Sequence, residues 1–139
     1  MDVSAVDAIT EQNLPAAVEM VKALARKIKS VIAISGVLDL VSDGEQAVLL
    51  RNGCATMARI TGSGCMLTSL IGTFCASMPE EAFTATVTAM AIMGVCGELA
   101  EQRRLINGTG NATFRTDLID AVFNLTETQL REGIRYEFL

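Results

Sequence analysis

The sequence has no histidine and no tryptophan, a single tyrosine and two prolines in 139 residues. Without histidine, imidazole-based proton transfer is excluded and zinc sites lose their commonest nitrogen ligand. The four cysteines, Cys54, Cys65, Cys75 and Cys96, have no paired metal-site spacing, so a structural zinc site is not expected. Positive charge is also scarce: 11 Lys and Arg stand against 16 Asp and Glu, for a formal net charge of −5. No basic cluster exceeds Arg103-Arg104, and five phenylalanines with one tyrosine supply no base-stacking platform. Nucleic acid is therefore not an expected partner. The opening Met1-Asp2-Val3-Ser4 is acidic and polar, unlike the basic-then-apolar start of a secretory leader. Reduced thiols and a cytoplasmic location are the matching expectation.

Apolar sequence, in contrast, is plentiful. Half of the residues are hydrophobic. A chain of this length makes one domain or part of one, and folding leaves about a third of its surface unburied. So much apolar sequence predicts that some of that surface is covered by another subunit or by further chain. Gly62–Met78 and Ala82–Gly97 are both uncharged and are joined by Pro79-Glu80-Glu81. Each approaches the short limit for a membrane span. Their Thr, Ser, Gly, Ala and Cys content favours two buried core helices over a membrane hairpin, so no membrane partner is expected.

Residues before Thr10 carry no pattern and form a lead-in segment. Asn13 reads as an N-cap with Pro15 in the first turn. Leu14, Ala17, Val18, Val21, Leu24, Ala25 and Ile28 then recur at helical spacing. Lys22, Arg26, Lys27 and Lys29 read as a solvated face. Val31-Ile32-Ala33-Ile34 is a continuous apolar run, which predicts a strand buried on both faces and, after a helix, in a parallel sheet. Leu38–Val41 and Ala47–Leu50 flank an Asp43-Gly44 turn and predict a hairpin. Asn52-Gly53 predicts a second turn and Ala55–Ile60 a fourth strand. A helix over about Glu80–Arg104 follows Pro79, then a loop over Asn107-Gly108-Thr109-Gly110-Asn111. Two helices close the chain, roughly Ala112–Leu125 and Thr126–Gly133, the second opened by the capping-box spelling Thr126-x-x-Gln129. One interior parallel strand cannot make a doubly wound sheet. The sheet must be completed by another polypeptide or by a longer natural chain, and the second is preferred.

The most distinctive stretch is Ile60-Thr61-Gly62-Ser63-Gly64-Cys65-Met66-Leu67-Thr68. It predicts a strand that ends at a glycine turn and passes directly into a buried helix. The first N–H groups of such a helix lack internal partners and suit an anion, and glycines let a phosphate approach the backbone. A thiol in the first turn lies at the positive end of the helix dipole, where a thiolate is favoured. By residue type alone Cys65 reads as a small buried hydrophobe. Placed directly after Gly-Ser-Gly, it reads as a reactive group. Nothing local activates Cys54, Cys75 or Cys96.

These residues resemble the C-terminal half of hydroxyethylthiazole kinases, members of the ribokinase-like superfamily. The resemblance runs from about Asp2 to Leu130. It rests on Val31–Gly36, Val41-Ser42-Asp43-Gly44, Arg51-Asn52-Gly53, Asn107–Phe114 and above all Thr61–Thr68. Most ribokinase-like enzymes carry aspartate where Cys65 stands, and cysteine there is the thiazole-kinase variant. The resemblance implies the C-terminal part of a single three-layer α/β/α kinase domain spanning residues 1–139. It implies transfer of the ATP γ-phosphoryl group to the primary alcohol of 4-methyl-5-(2-hydroxyethyl)thiazole, with Mg2+, in thiamine biosynthesis. Carried over residue by residue, Cys65 is the general base, Gly62 contacts the thiazole and Ser35 contacts ATP. Gly62, Ser63 and Gly64 supply the anion hole. The family's trimeric assembly, with thiazole sites between subunits, is likewise implied.

The family's magnesium-linked acidic residues, an ATP-contacting arginine and much of its thiazole pocket lie in the other half and have no match here. Asp39 and Asp43 read as hairpin surface residues rather than metal ligands. Two alternatives stay open: a non-catalytic module that keeps the fold for oligomerisation, and another ribokinase-like kinase or related nucleotide-dependent repair enzyme, against which Cys65 speaks.

Overall fold

The structure, a computed structural model, describes residues 9–139; most of the lead-in segment expected before Thr10 lies outside the described residues. Helix α1 spans Leu14–Ile28 and strands β1, β2 and β3 span Ile32–Ile34, Asp39–Ser42 and Ala47–Leu50. A 3-10 turn at Ala55–Arg59 leads to α2, Ser63–Ser77, and then to the long α3, Ala82–Asn107. Helices α4, Asn111–Asn124, and α5, Glu127–Gly133, precede a last strand, β4, Tyr136–Phe138. The described strands form one antiparallel sheet in the order β1-β2-β3-β4.

Alternation along β2 and β3 builds three layers. Leu40 and Leu49, paired across the sheet, point with Ala47 toward Ala17, Val18 and Val21 of α1. Val41, Val48 and Leu50 point the other way, onto Met90 and Ala91 of α3. Successive strand side chains take opposite faces, so Leu40-Val41 and Ala47–Leu50 are continuously apolar because a helix covers each side. Its Asp43-Gly44 turn forms as expected. Gly44 has a φ of +103°, and a Cβ there would lie 2.7 Å from Arg26 Cγ. Arg26 Nη1 donates to Gly44 O at 2.6 Å and Lys22 Nζ to Leu139 O at 3.0 Å. These two cations, expected on a solvated face, instead pin α1 to the sheet.

Several expectations are corrected. The Val31–Ile34 run is not a strand buried on both faces: β1 sits at the end of the sheet, pairs antiparallel with β2, and leaves Ala33 exposed. The doubly covered strands are those of the hairpin, and the sheet expected to be parallel is antiparallel among the described residues, because a short turn and not a helical crossover joins β1 to β2. Ala55–Ile60 forms a 3-10 turn, not a strand. Gly53, at φ +118°, turns the chain off the sheet, and Ala, Met, Ala and Arg in the following segment favour helix locally. The place beside β3 goes to β4, which was not foreseen; Leu139 N donates to Ala47 O at 2.9 Å and Arg51 N to Arg135 O at 3.0 Å. Finally, α2 has no fully buried residue, although it was expected as a buried helix. One of its sides packs on α3, and the other, with Cys65, Thr68, Ser69, Gly72 and Thr73, is exposed.

Helix α3 is the spine. By length and composition it could cross a bilayer, yet 56% of its most apolar window is buried inside the fold, as in a core helix. It crosses the end of β3 so closely that a Cβ on Gly94 would lie 2.6 Å from Asn52 Cβ. A polar knot locks that crossing. Asn52 Nδ2 donates to Gly133 O at 2.8 Å and to Glu98 Oε1 at 3.2 Å, Gly53 N donates to Glu98 Oε1 at 2.8 Å, and Arg135 N donates to Asn52 Oδ1 at 2.7 Å. Arg135 also pairs with Glu98. The buried amide of Asn52 is thus satisfied from three elements, as buried polar groups must be. At α5 the expected capping box is present, with Gln129 N donating to Thr126 Oγ1 at 3.2 Å and Thr126 N to Gln129 Oε1 at 3.0 Å.

Candidate active site

The glycine turn opens α2 as expected, although the chain arrives from a 3-10 turn and not from a strand. Gly62 holds φ +98°, a conformation that side chains beyond glycine strain to reach. Met66 N donates to Gly62 O at 2.9 Å, the first bond of the helix. The N–H groups of Ser63, Gly64 and Cys65 therefore precede the first intrahelical donor. A Cβ at Gly62 or Gly64 would meet nothing within 4 Å, so the space before the turn is open. Asn111 Nδ2 donates to Arg59 O at 3.3 Å and brings the start of α4 beside the residues leading into the turn.

Cys65 lies exposed on the first turn of α2, at a groove of about 500 Å³ between α2 and α4. Cys65, Ser69 and Thr73 form one wall, Met93 of α3 contributes to the floor, and Arg115 and Ile119 form the other wall. A volume of this size suits a small organic ligand. Ser69 Oγ donates to Cys65 O and Thr73 Oγ1 to Ser69 O, each at 2.9 Å. With those hydroxyls turned back onto the helix, the thiol of Cys65 and the guanidinium of Arg115 are the ionisable groups on the lining. Sequence reasoning missed Arg115. Its only signal was the four-residue step to Ile119, which puts both on one side of α4.

The remaining cysteines behave as packing residues. Burial pushes the Cys96 thiol up to about 11, and burial likewise raises Cys54. Cys75 is half-buried, with its Sγ 3.8 Å from Thr86 Oγ1.

Ser35 lies exposed just beyond β1, in the connection to β2. It does not line the groove that holds Cys65. The adjacent Gly36 N donates to Asp39 Oδ1 at 2.8 Å. Asp39 is more than the surface residue expected: burial raises its pKa from 3.8 to about 6, against the opposing pull of the Gly36 hydrogen bond. Asp43 is the turn residue expected, accepting at Oδ1 from Glu45 N at 2.9 Å and Gln46 N at 3.0 Å. No cluster of three or more Cys, Asp or Glu side chains among the described residues could hold a metal ion. The described residues therefore do not fit an all-protein magnesium cage.

The shift of Asp39 predicts a pH effect. Between pH 3.8 and about 6 the native carboxyl holds a proton that the unfolded chain has released. The native state then binds more protons, so this group's contribution to stability is fully present below pH 3.8 and is lost as pH rises through about 6. Asp39→Asn keeps an acceptor for Gly36 N without the buried charge. Relative to wild type it should gain stability as pH rises through that window. Urea melts of both proteins at pH 4 and pH 7 check this; a difference independent of pH refutes it.

A sheet covered by helices on both faces, with a glycine turn opening a helix behind it, is half of a ribokinase-like three-layer fold. The model of the hydroxyethylthiazole kinase family matches residues 1–128, and the chain belongs to that family. It is 43% identical over 139 residues to hydroxyethylthiazole kinase 2 of Methanosphaera stadtmanae, and 41% identical over 135 residues to hydroxyethylthiazole kinase 2 of Clostridium botulinum. These alignments cover 99% and 97% of this chain but 48% of each relative. The fold matches the structure of the hydroxyethylthiazole kinase protein from Pyrococcus horikoshii OT3 with a TM-score of 0.80 and 27% identity, over 93% of this chain and 48% of that chain. The chain thus spans about half the length of the curated relatives it matches.

Proposed function

We propose that this chain carries the phosphoryl-transfer half of a hydroxyethylthiazole kinase site, within the C-terminal part of one kinase domain. The reaction moves the γ-phosphoryl group of ATP to the primary alcohol of 4-methyl-5-(2-hydroxyethyl)thiazole. Cys65 takes the hydroxyl proton, the alkoxide oxygen forms a bond to the γ-phosphorus, and the bond from that phosphorus to the β,γ-bridging oxygen breaks to release ADP. Gly62, Ser63 and Gly64 present backbone N–H groups to the moving phosphoryl group, Gly62 also borders the thiazole, and Ser35 contacts ATP. The Mg2+ that the family resemblance implies would have to be held by residues other than those described, and when bound it would supply neutralisation of phosphate charge. Trimeric assembly, with the thiazole held between subunits, belongs to the same reading.

The observation that carries this is the uncapped first turn of α2 with an exposed thiol on it and open space in front of both glycines. Fixed N–H donors stabilise the transferred group without reorganising, and phosphoryl transfer depends mainly on such positioning and charge stabilisation. Isothermal calorimetry with ATP and with the thiazole alcohol tests it. Heat is expected with ATP and is expected to shrink in Gly62→Val, which crowds the turn. The coverage of only half of each relative favours one other reading, a non-catalytic module. Absence of heat with either ligand would favour the module.

A further inference from the structure

Ile34 and Leu40 pair across β1 and β2, and Ser35, Gly36, Val37, Leu38 and Asp39 make the link between them. Among the described residues, no backbone hydrogen bond within this link closes it. Two side chains hold it instead. Leu38 is buried in the core under α1, and Asp39 Oδ1 accepts from Gly36 N at 2.8 Å. Ser35 therefore stands between two fixed neighbours, Ile34 in the strand ladder and Gly36 on the carboxylate. Its hydroxyl makes no hydrogen bond among the described residues, and the residue is exposed. It is a hydroxyl held from behind and left free.

For stability alone Asp39 is a poor choice. Its carboxylate is partly buried, has no cationic partner among the described residues, and is opposed in its charged form by burial. Asparagine would accept from Gly36 N without that penalty. What the charge adds is a hydrogen bond roughly twice as strong as a neutral one, and so a firmer link. A group that costs stability and stiffens an exposed loop points to a need for position at that loop. We propose that Asp39 is a positioning residue: through Gly36 N it fixes the Ser35 hydroxyl where ATP meets it. The inference deepens the reading that Ser35 contacts ATP, and it rests on that reading. A loop that is formed only part of the time binds in proportion to that fraction, so fixing it raises affinity without adding a contact.

Calorimetric ATP binding to the full chain at neutral pH tests this, with hydrogen exchange at the Gly36 amide measured in parallel. Asp39→Ala is expected to bind ATP about tenfold more weakly, as a loop formed about a tenth of the time would, and to let Gly36 N exchange faster. Asp39→Asn keeps the acceptor and should recover most of the affinity. Ser35→Ala should weaken ATP binding, and adding Asp39→Ala to it should cost nothing more, because Asp39 acts only through Ser35. Asp43→Ala removes a carboxylate that accepts from Glu45 N and Gln46 N in the neighbouring turn, and should leave ATP affinity unchanged. The proposal is overturned if Asp39→Ala binds ATP as wild type does, if its effect adds to that of Ser35→Ala, or if Asp39→Asn binds no better than Asp39→Ala. If wild type gives no heat with ATP, or Ser35→Ala binds it as well as wild type, the Ser35 contact of the proposed function fails and this inference falls with it. A loss in Ser35→Ala without one in Asp39→Ala sinks this inference only.

Discussion

Cys65→Ala in the complete enzyme is expected to lower turnover by ~100- to 10,000-fold, the range that a positioned general base contributes. The affinity for ATP should change little, because in the proposed reading the turn meets phosphate with backbone N–H groups, which the substitution leaves in place. The thiol is exposed, and a Cβ remains in alanine, so the loss will not come from repacking. Steady-state kcat with saturating ATP and thiazole alcohol, alongside calorimetric ATP binding, separates the two effects; an unchanged rate removes Cys65 as the base. Cys65→Asp sharpens the test. A carboxylate at this point of the turn can accept the same proton, so substantial activity should survive. A folded but inactive Asp variant would mean that the site requires sulfur.

The largest expected effect on stability is at Phe114. It is fully buried on α4, clustered with Ile60, Met93, Cys96, Ala100, Leu118 and Ala121, and Met66, Leu67 and Leu70 of α2 pack against the same cluster. This aromatic ring therefore contributes to the core that holds α2 and α4 on α3. Phe114→Ala should cost about 3–5 kcal/mol, through lost transfer energy and the cavity left behind. Against a total domain stability of about 5–15 kcal/mol, that loss is severe. Urea unfolding measures it, and a change below about 1 kcal/mol would show that the three helices collapse around the gap. Because the groove walls lean on this cluster, weaker ligand binding at the Cys65 groove should accompany the loss in any fraction that stays folded.

How much could be read without coordinates depended on how local the governing physics is. The Asp43-Gly44 turn, the capping box at Thr126 and the glycine turn at Gly62 each rest on the conformational limits of a few adjacent residues, and all three occur where expected. The helices also lie close to their expected bounds: α1 shows the period that burial of one side imposes, and uncharged runs, Pro79, glycines and the Thr126 cap bound the others. Errors came where partners from distant segments decide. The Val31–Ile34 run was given two covered faces, but coverage is a property of neighbours, and it lies at the end of the sheet among the described residues. Ala55–Ile60 was given a place in the sheet that β4, at the far end of the chain, occupies instead. Arg115 could not be assigned to the Cys65 groove, because their proximity arises from two helices packing on a third.

The amino-acid sequence by itself determined the turn chemistry: Gly-Ser-Gly followed by cysteine at a helix start, and membership of a kinase family through that order. The reason is that backbone sterics and the open N–H groups of a first helical turn act within a few residues. Only the tertiary structure decided which surfaces are covered. It put a groove beside Cys65, left Met20, Leu24 and Ile28 of α1 exposed, set β1 at the end of the sheet among the described residues, and drew Asp39 partly out of water. Those outcomes follow from long-range packing, in which each element's environment is set by segments tens of residues away.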